Sequence, residues 1–295
     1  MIGRMVVGYT ATPSGEDAVA LGARLAAASG SALDIVVVLP AEDRSVITPP
    51  DASYDRYLKG KAAGWLETAT TEIPDSVSVT TNVRYADSFA EGLVAEAAEV
   101  GASHIVVGAA NGGHRGRHRL GSVATELLHS SNFPVVLAPE GSRRAEASNG
   151  ITRITAAIGT RPGADALLEE ATSLAAATGA ELRLLSLVTV DLPASVDTGV
   201  IRIAGAAHAD EVLAQARAAV SGVPDPEVIV GRGGSIEEAV QHLSWEPGEV
   251  AVVGSSRLAQ PRRLFLGSTA AKMLHELPVP MIVVPRTRAP EGESR

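Results

Sequence analysis

The chain carries nearly the same passage twice. Val106-Val107-Gly108, Leu120-Gly121-Ser122 and Phe133-Pro134-Val135 are answered, at identical spacing, by Val252-Val253-Gly254, Leu266-Gly267-Ser268 and Val279-Pro280-Met281. In each copy a β-branched run ends on glycine, and thirteen residues later a Gly-Ser pair opens a segment that reads as a helix. A helix start leaves backbone amides unsatisfied, which suits a phosphate. The runs at 4–8 and 153–157 lie almost as far apart as the two Gly-Ser pairs, so the duplication covers whole folded units. A length of 295 residues leaves room for two domains of about 100–150 residues each.

Short β-branched runs alternate with alanine-rich segments, the pattern of a parallel sheet buried on both faces by crossover helices. In the first half, strands are expected at 4–9, 33–39, 77–84, 104–108 and 134–138, with helices at 15–29, 54–71, 88–100 and 122–130. The second half repeats the order, with strands at 153–158, 181–187, 227–230, 250–254 and 281–284 and helices at 164–178, 204–220, 236–243 and 268–275. The expected fold class is α/β: two tandem doubly wound domains, each with a five-stranded parallel sheet in the order 3-2-1-4-5 and about four helices. The boundaries are 1–140 for the first unit, 141–152 for a polar linker, 153–286 for the second unit and 287–295 for a flexible tail.

With no cysteine, the chain offers neither a disulfide framework nor a thiolate metal site, and its first residues lack the apolar run of a signal peptide. The apolar runs are strand-sized, too short to span a membrane, and a cytoplasmic protein is the expectation. A net charge of −9 with 3% aromatic residues disfavours a nucleic-acid groove, which needs a basic face and stacking platforms.

An open parallel sheet places its ligand crevice at the carboxyl ends of its strands, flanked by the loops after the first and fourth strands. Those loops carry Tyr9-Thr10-Ala11-Thr12-Pro13 and the two stretches 108–122 and 254–268. In these features the chain resembles the universal stress protein family over almost its whole length. Nucleotide-binding members of that family carry Gly, two residues, Gly, nine residues, then Gly-Ser or Gly-Thr, and the spacing fits here twice. The resemblance implies a candidate ATP site, with Mg as a companion ion. It is formed by Thr10, Val38, Gly108, Asn111, Gly121, Ser122 and Val123 in the first half, and by Gly254, Arg257, Gly267, Ser268 and Thr269 in the second. It also implies a homodimer, and final strands that pair where domains meet.

The chain departs from that pattern in two places. The second glycine is Asn111 in one copy and Arg257 in the other. Asparagine tolerates left-handed backbone, whereas arginine replaces amide contacts with charge. The aspartate that family members place after the first strand is missing. Thr10 stands there in the first half and, by alignment, Ile158 in the second, so the second site reads as degenerate.

Each feature has a plainer explanation as well. Gly108 and Gly254 end strands, and Gly121-Ser122 starts a helix whatever it binds. His114 and His118 are four apart, but Gly116 between them argues for a loop rather than a metal-binding helix face. Arg115, Arg117 and Arg119, with Arg262 and Arg263, read as a solvated basic loop. Asp87 or Ser88, and Ser235, read as helix caps, and Tyr9, Trp65 and Trp245 as packing residues. No nucleophile and base can be cast, so an enzyme is not expected, although slow ATP hydrolysis stays open. The rival to a nucleotide-responsive protein is an interaction module of the same family acting through dimerisation and partner proteins.

Overall fold

The computed structural model describes residues 3–41, 52–110, 118–145, 150–159, 165–189, 198–255 and 264–285. The first half runs β1 (Arg4–Gly8), α1 (Pro13–Ser29), β2 (Ala32–Pro40), α2 (Ala52–Thr70), β3 (Val79–Ala86), α3 (Phe89–Glu99), β4 (His104–Gly108), α4 (Ser122–Ser130) and β5 (Val135–Ala138). A 3-10 turn, Ser142–Arg144, leads into the second half. There follow β6 (Arg153–Ala157), α5 (Asp165–Thr178), β7 (Glu181–Thr189), α6 (Thr198–Ala219), β8 (Glu227–Gly233), α7 (Ile236–Gln241), β9 (Glu249–Gly254), α8 (Ser268–Glu276) and β10 (Met281–Val284).

Local chemistry sets the ends of these elements. Thr12 caps α1 by accepting the Gly15 N–H at 3.3 Å, Pro13 occupies the first turn, and Gly30 closes the helix at φ 69°. Ser88 and Ser235 cap α3 and α7, each accepting the N–H three residues on. Along β1, Met5 and Val7 face one apolar cluster and Val6 the other, as the two-residue period of a strand requires.

Each half has the expected strand order, but the two sheets are one. The order is β3-β2-β1-β4-β5-β10-β9-β6-β7-β8, parallel throughout except where β5 meets β10 antiparallel, with Leu137 opposite Met281 and Val135 opposite Val283. All eight residues of these two short strands are buried. Both core clusters, one on each face of the sheet, draw residues from both halves, so apolar burial is continuous across the joint.

Polar contacts cross the joint too. The Leu264 N–H donates to the Ser131 carbonyl at 2.7 Å and the Leu266 N–H to the Leu128 carbonyl at 3.1 Å, tying the second late loop to the end of α4. His118 makes the reciprocal crossing, its Nε2–H donating to the Val279 carbonyl at 2.7 Å. His104 of β4 meets Glu170 of α5 at 2.9 Å, and both are buried. The 3-10 turn is held to α1 by Asp17, whose carboxylate accepts the Gly141 and Arg143 N–H groups and the Arg143 guanidinium at 2.8–3.0 Å.

Candidate functional site

Four segments converge at the carboxyl edge of β1, β2 and β4. A Cβ on Gly15 would lie 2.0 Å from the Thr10 carbonyl oxygen, and one on Gly108 would lie 1.9 Å from the Ser14 carbonyl oxygen. Glycine at both positions lets the loop after β1 lie against the end of β4. Thr10 is exposed at the rim, its hydroxyl 2.9 Å from that of Thr12. Gly8 pairs with Val36, and Val38 lies two residues further along β2 toward the same edge. Val38 is half-buried, and a Cβ on Gly92 would come within 2.6 Å of its methyl groups, which shows how closely α3 lies over it.

The Ala110 N–H donates to the Arg119 carbonyl at 2.7 Å, bringing both ends of the 111–117 segment together, and a Cβ on Gly121 would lie 3.5 Å from that of Ala110. Gly121 is the N-cap of α4, and no side chain caps the helix. The Thr125 N–H makes the bond back to Gly121, so the amides of Ser122, Val123 and Ala124 have no partner among the described residues. Ser122 is exposed and Val123 half-buried. Three orphan donors at the positive end of the helix dipole form a ready receptor for an anion. Thr10, Val38, Gly108, Gly121, Ser122 and Val123 thus share one edge of the first half. Asn111, together with His114, Arg115 and Arg117, lies outside the described residues, as does the tail 287–295.

The second half repeats the helix start. Gly267 caps α8 without a side chain, the Ala271 N–H returns to its carbonyl at 2.9 Å, and Ser268 and Thr269 are exposed. Ser255 closes the loop by accepting the Phe265 N–H at 2.8 Å. A Cβ on Gly254 meets no described atom within 4 Å. Arg257, Arg262 and Arg263 lie outside the described residues, as do residues 160–164.

The strand register corrects the alignment of the first loops. The Tyr9 N–H donates to Val36 and the Ile158 N–H to Leu185, equivalent carbonyls on β2 and β7. Ile158 therefore matches Tyr9, and both are buried core residues. The counterpart of Thr10 is Gly159, which has no side chain, so the second half still offers no side-chain polar atom at this place.

His118 turns inward. It is 3% exposed, its Nδ1 has no hydrogen-bond partner among the described residues, and burial pushes its imidazole from 6.5 down to about 4. Tyr9 is buried, and Trp245 is half-buried with its indole N–H on the Val240 carbonyl. Trp65, expected to pack between layers, is instead 38% exposed, because the inward face of α2 is taken by Ala62, Leu66 and Ala69.

The family model described as "Universal stress protein family" matches residues 1–139 and 150–285. The chain belongs to the universal stress protein family. Universal stress protein Rv2319c of Mycobacterium tuberculosis is 28% identical over 297 residues, spanning 95% of this chain and 99% of its own. A solved universal stress protein from Archaeoglobus fulgidus matches with a TM-score of 0.64 at 17% identity, over 96% of this chain and 98% of that one. The cytoplasmic domain of a prokaryotic cation chloride cotransporter matches with a TM-score of 0.50 at 12% identity, over 97% and 96%. Both likenesses show the fold alone, and the second shows why the task of a universal stress protein must be read from its sites.

Sequence reasoning missed two groups in this universal stress protein. Asp17 looks like an ordinary first-turn acid yet holds the linker, and His118 looks like a loop residue yet reaches the other half. Their partners lie 126 and 161 residues away, beyond the reach of any local pattern.

Proposed function

We propose that this universal stress protein is a regulatory binding protein of the stress response that takes Mg·ATP in its first half, with one working site per chain. The observation that carries the reading is the uncapped start of α4, where three amides without partners stand at the edge that also holds Gly108, Thr10 and Val38. Phosphate would be held by the Ser122, Val123 and Ala124 amides with the Ser122 hydroxyl, and the base would be bordered by Thr10 and Val38. The second half keeps the same helix start, but Gly159 gives it no side chain to meet a base. It is a binding role and not a catalytic one, and phosphate release from ATP no faster than in Ser122→Ala is expected.

Isothermal titration of the nucleotide-stripped chain with Mg·ATP tests this reading. One site, lost in a variant of the α4 start and kept in the equivalent variant of α8, supports it. Absence of binding sinks it.

A second reading, an interaction module, is favoured by the surface around α2. Tyr57, Trp65 and Tyr85, three of the five exposed large apolar side chains among the described residues, lie on α2 and the adjacent edge strand β3. Because β5 and β10 occupy each other, a homodimer of this chain would use other surfaces, such as the β3 or β8 edge. Sedimentation that shows a monomer at micromolar concentration would remove the dimer from this reading.

A further inference from the structure

A cavity of about 820 Å³ runs between α1, the end of α2 and the linker, and none of the described residues of the candidate nucleotide site lines it, although Tyr9, next to Thr10, does. Its size falls within the range of about 300–1,000 Å³ typical of small-molecule sites. The space exists because the facing helix positions are small: Ala20, Ala23 and Ala27 on α1 look across to Ala69 on α2, and alanines cannot fill the gap between two helices. Val19, Ile73 and Pro74 complete an apolar lining. A second cavity of about 510 Å³ lies on the far side of the linker, and the two share Arg24, Arg144 and Ala145.

The two shared arginines differ from their neighbour. Arg143 is committed to Asp17, Glu16 and the Pro13 carbonyl. Arg24 and Arg144 make no ion pair among the described residues, and Arg24 Nε is buried with no hydrogen-bond partner. A buried N–H donor on a cation without an acceptor is costly, and an anion would satisfy it. Among the described residues, the carboxylates that face this space are Glu16, already paired with Arg143, and Glu72 just beyond the α2 end. They oppose a polyanion such as a triphosphate, whereas a ligand with one negative charge and an apolar tail meets both parts of the lining.

We propose that this cavity binds a medium-chain fatty acid or a chemically similar single-chain anionic amphiphile. Its carboxylate lies between Arg24 and Arg144, and its chain along Val19, Ala23, Ala69 and Ile73. The site is separate from the nucleotide reading and stands or falls without it.

The test is isothermal titration of the full chain with monomeric dodecanoate, repeated with dodecanol. Saturable binding of one dodecanoate per chain is expected, at least tenfold tighter than dodecanol. Arg24→Gln and Arg144→Gln should each weaken it about tenfold, and Ala20→Phe, which fills the groove, should abolish it while leaving any Mg·ATP titration unchanged. Arg144 is exposed on a short turn, so its variant reports even where the Arg24 variant fails to fold. Absence of saturable binding, equal affinity for dodecanol, or binding indifferent to Arg144→Gln and Ala20→Phe would each overturn the proposal.

Discussion

His118→Leu should abolish a specific part of the acid sensitivity of this protein. The native imidazole is held neutral because burial, helped by the nearby His275, lowers it from 6.5 to about 4, outweighing the hydrogen bond to the Val279 carbonyl, which favours the charged ring. In the unfolded chain the same ring takes up its proton near 6.5. Below that pH the unfolded state binds more protons than the native state, so stability falls as pH falls, and the loss levels off once the native ring itself titrates near 4. The full loss is about 3 kcal/mol, of which about 2 kcal/mol has accrued by pH 5, and above pH 7 the ring contributes no pH dependence.

Leucine is the informative replacement because Leu264 fills the corresponding place in the second half, at 1% exposure. At pH 7 the variant should be less stable by about 1–2 kcal/mol, since the Val279 carbonyl loses its donor. Denaturant unfolding at pH 7 and pH 5 then compares two slopes. The native protein should lose about 2 kcal/mol more than the variant over that interval, bringing the two stabilities together or reversing their order. Parallel losses in the two proteins would show that His118 is not held neutral, and the reasoning from its burial would fail.

Ser122→Pro places proline at the first position of α4, where its fixed φ suits the helix and the extended Gly121 before it tolerates it. It removes one amide donor and the hydroxyl, so Mg·ATP affinity should fall about tenfold to a hundredfold by titration, with little change in melting temperature. Gly108→Ala forces a methyl onto the Ser14 backbone and should cost about 1–3 kcal/mol in denaturant unfolding. Asp17→Ala strips three hydrogen bonds from the linker turn and should destabilise the chain by about 3 kcal/mol, with proteolytic cleavage at the linker as a second readout.

The fold was legible where side chains carry the signal. The β4 span and the α4 span coincide with their expected bounds because the Ile-Val-Val-Gly run and a Gly-Ser start mark them. The end of β8 was not legible. Gly231, Arg232 and Gly233 look like loop, yet they continue the ladder opposite Leu187, Val188 and Thr189, held by backbone pairing alone. The α6 helix begins at Thr198, six residues before the expected start, in a stretch whose turn-prone glycines mask the helix. At the site, the late loops could be read from spacing, but the first loops were matched one residue out of register. Tyr9 and Ile158 differ in chemistry, and only the hydrogen bonds to Val36 and Leu185 show that they correspond.

The joint between the halves shows what polar contacts add to an apolar seam. The paired strands present Val135, Val136 and Leu137 against Met281, Ile282 and Val283, side chains so alike that burial alone scarcely distinguishes β5 against β10 from β5 against a second β5. The contacts that flank the seam are not alike. His118 of the first half reaches Val279, while Leu264 in the equivalent place donates only its backbone N–H to Ser131, and His104 meets Glu170 across the halves. A second copy of the first half would still present a backbone carbonyl to His118, that of Phe133 at the place of Val279, but it would set Leu21 at the place of Glu170 and leave the buried His104 without that acceptor, at a cost of about 1–3 kcal/mol. The hydrophobic strands therefore supply the strength of the joint, and the buried His104–Glu170 pair makes it selective for the partner half of the same chain.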